Sequence, residues 1–332
     1  MSHIAVVNPG TPKAEHHRRM IEKLERECGE VVLQALRNPE VIEINLNPDG
    51  VLWVEYLGRG KIPSGRMAAH TAESLLATCA TMLDTVVTRE NPIVEGEFPL
   101  DGSRLEAGIP PIASAPFFSI RKHSGKIFSL DEYVESGSLK PAGRDRIYEA
   151  VRNRENILVV GGTGSGKTTL GNAILDAMAK TTKNDRVVIL QDTLELQVAV
   201  ENRVLLRTSE NVSMARLLRV AMRLQPDRVI VGEVRGGEAH SLLKAWNSGH
   251  PGGFCTIHAD SETQGLHKLL DYVFEAPEMG ARNDERIANG IARTVQLVVF
   301  IEKTGGKPAR AIRGISQVIG FENSNFVLER VE

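Results

Sequence analysis

The sequence predicts an α/β fold, with a large C-terminal domain built on a mostly parallel sheet and a smaller N-terminal α+β domain before it. Three observations carry this expectation. From Asn156 onward, apolar β-branched runs alternate with helical stretches, the pattern of parallel strands covered on both faces. A glycine-rich loop, GGTGSGKTT, joins the first of those strands to its helix. Before about residue 120, a helical period gives way to short alternating runs broken by turn residues, the mark of antiparallel pairing.

The elements follow in chain order. Residues 16–36 place Met20, Leu24, Cys28, Val31, Val32 and Ala35 three or four apart, which predicts an amphipathic helix. The runs VIEINL and VLWVEY flank Asn47-Pro48-Asp49-Gly50, where Pro fixes one φ and Gly tolerates the other, so they read as a hairpin. A second helix is expected over 67–86, then short strands over 92–120 punctuated by Asp101-Gly102 and Pro110-Pro111. The boundaries drawn from this texture are an N-terminal domain over 1–122, a linker over 123–140 and the main domain over 141–332. Within the linker, Ser129 and Glu132 form a capping box for a short helix, and Pro141 opens another that reaches about Arg154. Four strand-helix units follow: ILVV with 167–179, RVVIL with 214–223, DRVIVG with 237–246, and GFCTI with 261–274. TVQLVVFIE and the last residues add closing strands.

Composition narrows the function classes. A chain of 332 residues, 42% hydrophobic and 25% charged, buries ordinary globular cores and has room for two domains. Its net charge of −2 argues against a protein that coats nucleic acid. Cys28, Cys79 and Cys255 are scattered, which fits a reducing cytosol better than a disulfide framework or a zinc ribbon. The first residues lack the pattern of a secretory signal, and the longest apolar runs are too short for a spanning helix. The expected location is cytoplasmic, with membrane contact through partners.

The loop fits G-x-x-x-x-G-K-[ST] with Gly161, Gly166, Lys167 and Thr168. Glycines let backbone N–H groups turn inward around a phosphate, and the following helix adds its positive end. The nucleotide-binding set is Gly161, Gly162, Thr163, Gly164, Ser165, Gly166, Lys167, Thr168 and Thr169, with Lys167 reaching the β/γ-phosphates and Thr168 ligating Mg²⁺. The expected cofactors are ATP and Mg²⁺. An Asn-Lys-x-Asp motif, which would indicate a GTPase, does not occur.

The acids come from other strand ends. RVIVGE closes a buried strand with Glu233, although Gly232 sits where many such strands carry aspartate. Glu233 could hold Mg²⁺ through water or polarise the attacking water. QDTLELQ places Asp192, a second metal candidate, and Glu195 at the carboxyl end of a neighbouring strand, where ligands of open α/β sheets bind. In GHPGGFCTIHAD, metal-binding spacing is absent and Cys255 reads as a small core residue. His258 ends the same strand and could sense the terminal phosphate, and His250 is a further candidate.

Taken in order, GGTGSGKTT, QDTLEL, RVIVGEVRGGEA and SGHPGGFCTIHAD resemble the Walker A, Asp box, Walker B and His box of the secretion traffic ATPases of type II and type IV secretion. The resemblance reaches the N-terminal half through DGSRLEAGIPP and SIRK, and LLKAWNSGHPGG is most similar to the conjugal-transfer TrbB branch. The tetracysteine zinc module of many type II members is missing, and Gln191 stands where many relatives carry Glu, which shifts the water-activating role onto Glu195. The resemblance implies a RecA-like P-loop ATPase domain and a homo-hexameric ring docked on an inner-membrane secretion or conjugation complex. It also implies that Arg104 and Arg121 close on the phosphates, of their own subunit's nucleotide or a neighbour's. Arg207, Arg219 and Arg235 are further candidates near the site. Two other readings stand beside this one: a motor acting directly on DNA, and a nucleotide-gated scaffold with little turnover. Direct nucleic-acid binding is not expected, because a basic-aromatic groove is not evident.

Overall fold

Helix α1 (Pro12–Arg37) opens the first of two units in the computed structural model, Met1–Gly125 and Lys126–Glu332. The structure describes residues 12–57, 59–122, 127–209, 211–279 and 284–331. Helix α1 buries Leu24, Cys28, Val32 and Ala35, one apolar stripe of the predicted period. Its backbone breaks at Gly29 (φ 68°, ψ 172°), a conformation open to glycine but strained for other residues.

The first sheet is antiparallel, ordered β3-β2-β1-β6-β5-β4. Its strands are β1 (Val41–Leu46), β2 (Val51–Tyr56), β3 (Gly60–Arg66), β4 (Ile93–Glu97), β5 (Arg104–Gly108) and β6 (Phe117–Arg121). Ile44, Leu46, Leu52, Val54, Leu105, Ala107, Phe118 and Ile120 point into one core with α1 and α2 (Ala69–Met82). The alternate positions, among them Glu43, Arg104, Glu106, Ser119 and Arg121, therefore lie on the other face. Strand β3 lacked a sequence signal because GKIPSGR carries Pro63 and two glycines, which an edge strand tolerates.

In the second unit the order is β14-β13-β12-β7-β11-β10-β8-β9. The strands are β7 (Ile157–Val160), β8 (Val187–Gln191), β9 (Arg203–Arg207), β10 (Arg228–Val231), β11 (Phe254–Ile257), β12 (Leu297–Lys303), β13 (Arg310–Glu322) and β14 (Asn325–Arg330). From β12 to β9 every pairing is parallel; β13 and β14 close the sheet antiparallel. Its helices are α3 (Leu130–Glu135), α4 (Pro141–Arg152), α5 (Lys167–Thr181), α6 (Met214–Arg223), α7 (Glu238–Trp246), α8 (Glu262–Phe274) and α9 (Asp284–Thr294).

Burial on both faces explains the unbroken apolar runs. Ile157 and Val159 enter the core under α3, α4 and α5, while Leu158 and Val160 enter the one under α6 to α9. Each such side chain contributes about 1.5–3 kcal/mol by leaving water. Beneath the amino ends of the strands, Arg228 is fully buried and donates to Asp185 Oδ2 (2.6 Å), Gly252 O (2.8 Å) and Val151 O (2.9 Å).

The stretch read as a linker, 123–140, is mostly part of this unit. Residues 123–126 lie outside the described residues, but Leu130, Tyr133 and Leu139 are buried with α4 and α5, and Ser129 and Glu132 form the capping box. Strand β9 and helix α9 were not anticipated. The first is a half-exposed edge strand, and the second buries mainly Ala288, Ile291 and Ala292, a weak apolar signal.

Candidate functional site

Strand β7 ends under a loop that only glycine can build. A Cβ on Gly161 would lie 2.2 Å from Ile301 O, and Gly164 and Gly166 adopt φ of 68° and 102°. With Gly162 and Thr163 they lead into α5, whose first turn carries Lys167, Thr168 and Thr169. Gly166 is the N-cap and offers no side chain to the first amides of the helix, so these stay available to an anion. Ser165 is 2% exposed, and its buried Oγ has no partner.

Lys167 Nζ donates to Gly161 O (2.8 Å) and Gly162 O (3.1 Å), and to His258 Nδ1 at 3.0 Å. An ammonium only donates, so Nδ1 is unprotonated and the ring proton sits on Nε2. Nε2 lies 2.6 Å from Glu233 Oε1, close but poorly aligned for a hydrogen bond. Burial first, then the Lys167 charge, hold the His258 pKa below its ordinary value, although Glu233 pulls the other way. Glu233 Oε2 accepts from Arg235 Nε at 2.8 Å, and Arg235 Nη1 is 3.6 Å from Asp192 Oδ2. Asp192 Oδ1 in turn accepts from Thr208. Cation and anion alternate across the carboxyl edge from β7 through β11 and β10 to β8, in the order of the strands themselves.

Glu195 arrives from a separate loop. Its Oε2 accepts from Thr168 Oγ1 at 3.3 Å. The loop is pinned by two buried amides. Gln191 Oε1 accepts from Glu195 N (3.0 Å) and Leu196 N (2.7 Å), and Asn172 Oδ1 accepts from Gln197 N (2.9 Å). Gln191 is 2% exposed and its Nε2 has no partner. A Cβ on Gly232 would come 3.1 Å from Gln191 Cγ, a physical reason for glycine where aspartate was anticipated. The sequence flagged Gln191 only as a departure; its role as a clamp depends on a fold that places it beneath the loop.

Other candidates separate from this group. His250 precedes β11 and its Nδ1 contacts Pro226 O (2.7 Å) ahead of β10, so it lies at the opposite, amino edge of the sheet, a correction to its sequence reading. Cys255 is fully buried in the core, and burial pushes its thiol pKa up. Arg207 ends β9 beside Gln191 in register, and Arg219 is exposed on α6. Arg104 and Arg121 face each other directly across β5 and β6 in the first unit. Arg104 donates to Glu106 Oε1 (2.9 Å), and Arg121 stands opposite Glu43, whose carboxyl is lowered overall although burial works against it. Two like charges directly opposite cost stability unless anions offset them.

Comparison with known proteins identifies the family. The model of the family described as "Type II/IV secretion system protein" matches residues 62–303. The chain is 44% identical over 313 residues to "Probable conjugal transfer protein TrbB" of Sinorhizobium fredii (strain NBRC 101917 / NGR234), covering 94% of both. It is 42% identical, with the same coverage, to "Conjugal transfer protein TrbB" of Rhizobium radiobacter. Among solved structures, the Legionella pneumophila ATPase DotB aligns with a TM-score of 0.61 at 20% identity, over 93% of this chain and 82% of that one, a likeness of fold. A family match over most of the length, joined by relatives this similar from end to end, places the chain in the type II/IV secretion ATPase family.

Proposed function

We propose that this protein is a Mg²⁺-dependent ATPase of RecA-like architecture that works as a homo-hexameric ring powering conjugative transfer or type IV secretion. The observation that carries the reading is the meeting of Lys167, Thr168, Glu195, Glu233 and His258, from four separate segments, around the mouth of one glycine loop. The buried, unpartnered Ser165 Oγ and the open first turn of α5 fit a phosphate chain.

The donors present fit Mg²⁺. Among the described residues no three His, Cys, Asp or Glu side chains form a metal cage. A hydroxyl with nearby carboxylates suits an ion that keeps several waters and shares substrate phosphate oxygens. Thr168 would hold it, with Glu233 through water and Asp192 in support. When bound, it would neutralise charge building on the phosphates.

This chain's own residues then divide the work. Lys167 binds the β- and γ-phosphates. Glu195 orients the attacking water and takes its proton as the water oxygen bonds to the γ-phosphorus. The bond to the β-phosphate oxygen breaks, releasing ADP and inorganic phosphate. A γ-phosphate competes with His258 for Lys167, so the His258–Glu233–Arg235 series registers whether the terminal phosphate is present. Arg104 and Arg121 bring forked cations from the first unit to the phosphates of the same or a neighbouring subunit. No described helix is long and apolar enough to cross a membrane. Docking at the cytoplasmic face of an inner-membrane complex would thus go through partner proteins.

Phosphate release measured with and without a chelator tests the reading. Activity should vanish in EDTA and return with excess Mg²⁺, and light scattering should give a hexamer mass. Turnover undiminished in EDTA would overturn the Mg²⁺ assignment.

A further inference from the structure

The loop has a cationic wall on the flank opposite His258 and Glu233. Strand β12 is the other neighbour of β7, with Phe300 in register with Val160. The hairpin of β12 and β13 therefore runs along the far flank of the loop. Ile301 O closes against Gly161. Beyond it, Lys303 and Arg310 are direct cross-strand partners and share one face.

Both reach the loop itself. A Cβ on Gly164 would lie 2.9 Å from Lys303 Nζ, and one on Gly166 would lie 2.8 Å from Arg310 Cδ. Arg310 Nε donates to Gly164 O at 3.1 Å. That bond takes up a carbonyl of the loop without using the two Nη groups of the guanidinium.

Charge sets these two apart from the other cations around the site. Arg235 is matched to Glu233, and Arg313 on the same hairpin is matched to Glu302. Lys303 and Arg310 form no ion pair among the described residues. Two uncompensated cations side by side against an anion-binding loop repel each other unless an anion lies between them and the loop. Lys167 is turned toward His258, on the γ-phosphate side.

We propose that Lys303 and Arg310 bind the diphosphate common to ADP and ATP, from the flank of the loop opposite the γ-sensing series. This rests on the nucleotide-binding reading above. A contact to the shared part of both nucleotides strengthens both alike.

The test is titration of ADP, and of a non-hydrolysable ATP analogue, into the wild-type protein and into Lys303→Met and Arg310→Gln. Met keeps the unbranched stem of Lys303 as far as Cε over Gly164 and removes the ammonium, so most of the loop packing survives; circular dichroism checks the fold of both variants. Each variant should weaken ADP and the analogue by the same factor, about tenfold. The gap between Lys303→Met and wild type should shrink as salt rises from 50 to about 500 mM. Unchanged affinity for both ligands in Lys303→Met and Arg310→Gln would overturn the proposal and leave the nucleotide reading intact. So would a loss confined to the triphosphate analogue, or an equal loss that ignores salt. If the wild-type protein bound neither ligand, both would fall together.

Discussion

His258 accepts from Lys167 through Nδ1 at 3.0 Å while its Nε2 faces Glu233 at 2.6 Å. One imidazole thus links the lysine of the glycine loop to the acid that ends β10. The ring must be neutral to do so, and burial together with the Lys167 charge favours that form. His258→Ala should retain nucleotide binding but lose about 10²-fold in turnover. Steady-state kinetics beside a binding titration checks this; parallel losses in affinity and turnover would assign His258 to ground-state binding instead.

The two acids have different partners. The Glu195 carboxylate accepts from Thr168, whereas Glu233 is engaged by Arg235 and His258. Glu195→Gln should bind ATP normally and hydrolyse it about 10²–10⁴-fold more slowly, the usual span for a lost general base. Glu233→Gln should show the smaller defect. Single-turnover measurements on both variants decide, and the reverse order would exchange their roles.

Gln191 sets the Glu195 loop by accepting two backbone N–H groups. Gln191→Leu leaves the buried Leu196 N–H unmet, at about 1–3 kcal/mol, while Glu195 N keeps Thr193 O at 2.8 Å. Turnover should fall more than nucleotide affinity, because the binding loop and Lys167 are untouched. Denaturant unfolding and kinetics on the same variant test the two parts.

Away from the site, Asp185 anchors Arg228 (2.6 Å) and Arg154 (2.5 Å). Burial alone would raise its pKa, but Arg228 and Arg154 overcome that and hold it below the ordinary carboxylate value. A depressed folded-state pKa gives stability that is present above the unfolded value of about 3.9 and lost as pH falls toward the folded one. Asp185→Ala should destabilise the second unit by about 3–5 kcal/mol at neutral pH, since Arg228 is left buried without its anion. The difference in melting temperature from wild type should narrow as pH drops below about 4. A gap independent of pH would mean that packing, rather than charge, holds this contact.

Much of the second unit could be read from the sequence because its physics is local. Unbroken runs such as ILVV and FCTI report strands buried on both faces, and Gly161 to Thr168 report their own loop. A parallel sheet was expected to bring Lys167, His258, Glu233 and Asp192 to one carboxyl edge, but the order β7-β11-β10-β8 that strings them there is set by pairing between distant strands. What stayed hidden depends on pairing between distant segments. Lys303 and Arg310 reach the loop only through the register of the β12 hairpin, and Gln191 becomes a clamp only once the 192–200 loop folds back over it. His250 and His258 look alike as histidines in one motif, yet β11 separates them to opposite edges of the sheet.

The central claim is that these segments converge on a single ATP. Phosphate release by purified wild-type protein and by Lys167→Ala, each with saturating Mg–ATP, tests it most directly. The account predicts steady turnover by the wild type and none above background for the variant. Turnover by Lys167→Ala at the wild-type rate would contradict it.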